Sequence, residues 1–88
     1  MIKIVHAAHL RDYVIQVEFS DGSSGEYDLG PLVVRDTVLT RPPRTPEYLK
    51  RFFLELGSLC WPNGLELSAE AIRRRLEEGG KLRRARVA

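Results

Sequence analysis

The chain has 88 residues, 43% hydrophobic and 30% charged, which allows one small globular domain and no second one. No apolar run approaches the ~20 residues that span a bilayer, and a single cysteine excludes an internal disulfide framework and a cysteine-rich zinc site within one chain. The net charge of +2 is uneven: residues 1–72 carry seven basic and ten acidic side chains, and residues 73–88 carry seven basic and two acidic. Met1 to Val5 leads straight into His6 without a signal-peptide pattern, so a cytoplasmic location is expected.

Ile2 to His6 is short and β-branched and predicts a strand, which His6-Ala7-Ala8-His9 should break. From Tyr13 to Phe19 the alternation is clear, with Tyr13, Ile15, Val17 and Phe19 on one face. Period two means a strand with one buried side. Asp21-Gly22 then predicts a tight hairpin of type I′, whose two central residues both need positive φ. The return strand runs from Ser24 to Leu29 and ends at Gly30-Pro31. Leu32-Val33-Val34 is too short to assign as helical turn or strand.

Arg41-Pro42-Pro43-Arg44 cannot continue a helix, because proline lacks the amide donor. Thr45-Pro46-Glu47 is a helix start, with a Thr cap, Pro at the first position and an acid in the first turn. The helix is expected over Pro46 to Phe53, ended by Gly57, with Tyr48, Leu49, Phe52 and Phe53 facing a sheet. Ser58 to Trp61 predicts a further strand, Pro62-Asn63-Gly64 a turn, and Leu65 to Leu67 a second extended run. Ser68 caps a last helix over Ala69 to Glu78, with Ala69, Ile72 and Leu76 inward and Gly79-Gly80 as its end. The fold class is α+β: a small antiparallel sheet with two short helices packed on one face. Residues 1–78 form the domain, and 79–88 read as a basic, flexible tail.

Phe19-Ser20-Asp21-Gly22, then Tyr27-Asp28-Leu29, a Thr45-Pro46-Glu47-Tyr48 helix start and Trp61-Pro62-Asn63-Gly64 together resemble the Domain of Unknown Function 2442 family. The order and spacing match from about Ile2 to Ile72. Where that family often continues with an Ala-Asp-Leu stretch, this chain has Leu65-Glu66-Leu67. The resemblance implies a small bacterial α+β protein without an established activity, sometimes encoded beside another small protein in a toxin–antitoxin-like arrangement. Longer members carry a helix-turn-helix domain, for which the ten residues after the last helix leave no room.

Chemistry has little support. His6 and His9 lack a third ligand, and nothing basic adjoins Cys60, which reads as a buried small hydrophobe. Gly22 to Gly25 lacks the Lys and the helix of a phosphate loop, and no serine stands in a nucleophile elbow. Neither a catalytic residue nor a cofactor is expected. Trp61, Pro62 and Asn63 have two readings: core and turn, or an anchor for a partner at a sheet edge. The basic set Arg73, Arg74, Arg75, Lys81, Arg83 and Arg84 is either a solvated face or a salt-dependent phosphate contact. The expected function is a protein-interaction module that binds a small partner or itself; the alternative is a nucleic-acid-associated regulator using the basic end.

Overall fold

The computed structural model describes residues 1–84. Strands β1 (Ile4–Arg11), β2 (Val14–Phe19) and β3 (Ser24–Asp28) form one antiparallel sheet in the order β1-β2-β3. Strands β4 (Phe53–Glu55), β5 (Ser58–Cys60) and β6 (Glu66–Leu67) form a second, in the order β4-β5-β6. Between them lie the short helix α1 (Gly30–Val33), a 3₁₀ turn at Pro42–Arg44 and α2 (Pro46–Leu49), and α3 (Ala69–Glu78) follows the second sheet. The fold is α+β, with its strands divided between two sheets rather than gathered in one.

The alternation in β2 and β3 is as expected: Ile15, Val17, Phe19, Tyr27 and Leu29 are buried, and Gln16, Glu18, Glu26 and Asp28 are exposed. These side chains share one core with Leu49, Leu59, Trp61 and Leu65 of the second half and with Ala69, Ile72 and Leu76 of α3. The sheets are separate as hydrogen-bonded units but continuous as packing. Ser68 caps α3 by accepting from the Ala71 amide at 3.2 Å. Its end closes through Gly80 at φ 69°, with the Lys81 amide donating to the Leu76 carbonyl at 2.8 Å.

Three expectations change in this part of the fold, and one open reading is settled. The first strand does not break at His6–His9 but runs on to Arg11, because β2 is long enough to pair with it throughout. Register shifts after Ile4 and after His9 take up the mismatch. The helix from Thr45 ends at Leu49 instead of Phe53, since Phe53 is drawn into pairing with Cys60. Thr45 does not cap it; its hydroxyl donates to the Pro42 carbonyl at 3.1 Å. Leu32 and Val33 resolve as the end of a helical turn, whose last carbonyls Arg44 collects: Nε donates to Val33 at 2.5 Å and Nη2 to Arg35 at 3.1 Å.

The two turns exchange roles. At Asp21-Gly22 only Gly22 has positive φ, at 86°, so the hairpin is a three-residue loop and not type I′. Gly57 does not stop a helix. With Leu56 at φ 51° and Gly57 at 81°, it forms the two-residue, doubly positive turn between β4 and β5. Gly57 is also enforced by space, because a Cβ there would lie 2.6 Å from Cβ of Lys3.

The tail boundary moves as well. Arg83 bridges Ser24 through two backbone hydrogen bonds of 2.8 Å, and Leu82 packs half-buried on the core, so the chain through Arg83 belongs to the fold. Residues 85–88 lie outside the described residues.

Candidate functional site

Trp61 is 1% exposed, so it cannot touch a partner. Its indole N–H donates to the Leu49 carbonyl at 2.9 Å, and Phe52 meets the ring edge-on at 6.4 Å between centroids. Strand β5 puts it there, since Leu59 and Trp61 share the inward face. Pro62 is exposed, and Asn63 is half-buried and donates Nδ2 to the Leu39 carbonyl at 3.0 Å, tying the 34–41 loop to the second sheet.

The tetrapeptide forms the same three-residue loop as Phe19 to Gly22. The Gly64 amide donates to the Trp61 carbonyl at 3.0 Å and the Trp61 amide to Leu65 at 2.9 Å; Gly22 to Phe19 and Phe19 to Ser23 repeat this at 2.9 and 2.8 Å. In each loop the Asx side chain accepts an amide two residues on, Ser23 for Asp21 at 2.9 Å and Leu65 for Asn63 at 3.3 Å. Both motifs that carry the resemblance are therefore builders of hairpins, each opened by a buried aromatic residue.

The basic residues do not gather as one set: Lys81 and Arg83 line one hollow, and the others are spread along α3 and beyond its end. Arg73 donates Nη2 to Asp21 at 3.0 Å and approaches Glu77 at 3.9 Å; Arg75 donates to the Tyr27 hydroxyl at 2.7 Å; Arg84 meets Glu77 at 2.5 Å. Arg74, Lys81 and Arg83 keep exposed side chains. Arg73 acts as a brace between α3 and the β2–β3 loop, with Nε buried and without a partner among the described residues. The Ser23 hydroxyl and amide, with Arg73 beside them, hold the Asp21 carboxyl below the usual range.

His6 is exposed, and Nε2 of His9 donates to the Asp12 carbonyl at 2.9 Å. Among the described residues no three His, Cys, Asp or Glu side chains are grouped to hold a metal ion. Cys60 is buried, and burial together with Glu66 and Glu55 pushes its thiol up, away from the reactive thiolate.

Sequence reasoning missed the exposed apolar residues beside β5. Leu56 is 91% exposed at the tip of the β4–β5 hairpin, Phe53 is 43% exposed on β4, and Val5 is 58% exposed at the first irregularity of β1. The Ile4 amide donates to the Gly57 carbonyl at 2.9 Å, which seats the hairpin tip against the start of β1. Strand β4 is an outer strand of its sheet, as β6 is. The only signal in the sequence was Leu before Gly57, read as a helix end.

No helix among the described residues is long and apolar enough to cross a membrane. A family model described as "Protein of unknown function (DUF2442)" matches residues 4–78. No curated protein and no solved structure matches the chain.

Proposed function

The chain belongs to the DUF2442 family, and from that premise we propose that it is a non-catalytic protein-interaction module, one member of a two-gene pair of toxin–antitoxin type, that binds through the β4–β5 hairpin. The observation that carries this is Leu56. A left-handed backbone costs a non-glycine residue on the order of 1 kcal/mol, and at 91% exposure the side chain returns nothing to the fold. Asn or Gly would form the same turn at less cost. Burying a leucine against a partner recovers about 1.5–3 kcal/mol, enough to offset the strain. Phe53 is exposed on the same hairpin, and Val5 follows Ile4, whose amide bonds the Gly57 carbonyl at the hairpin tip, with Lys3 lying against Gly57.

The experiment is co-expression with the product of the adjacent gene, followed by co-purification and sedimentation. Wild type is expected to enter a complex, and Leu56→Asp, whose side chain tolerates the left-handed turn, to stay folded and fail to associate. A lone wild-type monomer that captures nothing, or a Leu56→Asp variant that associates unchanged, would sink the proposal.

A further inference from the structure

Strand β1 is an outer strand of the first sheet and the longest of the three. The Phe19 amide donates to Ser23, and the Leu29 amide to Tyr13, across the β2–β3 ladder. Antiparallel positions alternate, so Val14, Gln16 and Glu18 of β2 turn their N–H and C=O groups toward β1. They stand opposite Arg11, Ala8 and His6. Ala7 and His9 therefore direct theirs outward, as Ile4 does where its amide meets the Gly57 carbonyl. Ala7 and His9 have no backbone partner on that side among the described residues.

Open edges are commonly blunted by Lys, Pro, inward charge or bulges. From Ile4 to Leu10 there is no Lys, Arg, Asp, Glu or Pro. Bulges are present, because the register with β2 skips Val5 and later Leu10. A two-fold axis at Ala8 exchanges them: Val5 falls opposite Arg11 of a second copy, and His6 opposite Leu10. Each bulge then meets the other, and the two strands bend together. The same axis sets Ala7 against His9, outward groups against outward groups, so both equivalent pairs can exchange their two bonds. Ala8 meets itself as a non-hydrogen-bonded pair with Cα atoms about 4.5 Å apart, an approach its methyl group permits.

We propose that the β1 edge pairs with the β1 edge of a second copy, antiparallel about Ala8, joining two three-stranded sheets into one. Charge favours this occupant. Lys3 and Asp12 are exposed and form no ion pair among the described residues, and the axis brings Lys3 of each copy near Asp12 of the other. Arg11, the other charge at the end of the strand, is already paired with Glu26 at 2.9 Å. The tip of the β4–β5 hairpin, bonded at Ile4, fills the place beside that residue and ends the ladder there. At the matching point of the second copy the chain turns away through Asp12, at φ 42°. The β3 edge does not pair in this way, because an axis at Glu26 or Tyr27 sets carboxylates of Glu26 and Asp28 against one another. The ladder is short, so the dimer is a weak one.

The test is sedimentation equilibrium of the full chain, with ¹⁵N amide spectra recorded across concentration. Wild type is expected to dimerise with a dissociation constant on the order of 0.1 mM. Amide shifts that follow concentration should centre on Ala7, Ala8 and His9. Ala8→Lys sets two ammonium groups across the axis; beside the exposed Gln16 and Glu18 it should stay folded, and it should sediment as a monomer. Ala8→Cys falls within disulfide reach of itself, since Cα atoms about 4.4–6.8 Å apart can be bridged. With glutathione disulfide as oxidant it should cross-link, whereas Gln16→Cys, exposed on the same face one strand away, should not. The proposal is overturned by a monomer at about 1 mM chain. It is equally overturned by shifts confined to other surfaces, by unchanged dimerisation of Ala8→Lys, or by equal cross-linking of the two cysteine variants. Leu56→Asp should dimerise as wild type does, so failure at the hairpin and failure at this edge are separable.

Discussion

Leu56 carries a cost that a single substitution can measure. Leu56→Asn keeps the two-residue turn and relieves a bulky side chain from positive φ, so stability should rise by about 0.5–1 kcal/mol in urea unfolding. An unchanged or lower midpoint would mean that the Leu56 backbone is not strained. Asp21 gives the second test at this scale. Its folded pKa is depressed, first by the Ser23 hydroxyl and amide and then by Arg73, so its contribution is present above the ordinary carboxylate value of about 3.9 and is lost as pH falls through the lowered one. Stability of wild type should therefore drop more steeply below about pH 4 than that of Asp21→Asn. The comparison with the variant is needed because Asp36, beside Arg41, is lowered in the same direction and titrates in the same window. Parallel pH profiles for the two proteins would show that the Ser23 and Arg73 contacts do not persist in solution. Trp61 and Leu56 also mark the limit of residue-level reading. A tryptophan attracts attention in a sequence, yet one indole bond to Leu49 and 1% exposure place it in the core. A leucine before a glycine attracts none, because only the backbone dihedral makes it unusual.

Among the elements, the alternation of β2 and the Ser68-to-Gly80 helix were legible because their signals are local: period two, a cap, and a glycine end. Where a partner strand decides, the sequence is silent. Phe53 fits the stripe of a helix as well as it fits β4, and pairing with Cys60 overrules the helix. The hairpin after β2 was legible as a turn but not as its type, since Asp-Gly suits both a two-residue and a three-residue loop. The glycines separate two kinds of constraint. Gly64 has φ 97° and nothing within 4 Å of a Cβ, so Gly64→Ala should cost about 1–2 kcal/mol from the backbone alone. Gly57 has φ 81° and also faces Lys3 at 2.6 Å, so Gly57→Ala should cost more than Gly64→Ala. Urea midpoints rank the two directly. The reverse order would mean that Lys3 yields without cost, and the seat of the hairpin on β1 would have to be looser than the 2.9 Å bond between Ile4 and Gly57 implies.

At the scale of the molecule, two short sheets hold together because they share one core and because the chain returns to tie its own ends. The principal extents are 43 × 25 × 19 Å, an elongated form that leaves every sheet edge near the surface and makes each covering segment count. The basic end was read from its charge, and charge describes side chains. The role of Arg83 is carried by its main chain, which no composition reveals. That makes truncation the informative experiment. Ending the chain after Lys81 removes two backbone bonds to Ser24, worth about 0.5–1.5 kcal/mol each, and the half-buried Leu82 with them. A loss of about 1–3 kcal/mol is expected, with faster exchange of the Ser24 amide and little change at Ile15 or Val17 in the centre of the sheet. A tail that merely frays would leave both stability and Ser24 exchange unaltered, and residues 79–83 would then return to the status of an appendage. If the loss is found, the segment closes the sheet edge at Ser24 and leaves the backbone of Glu26 and Asp28 open beside it.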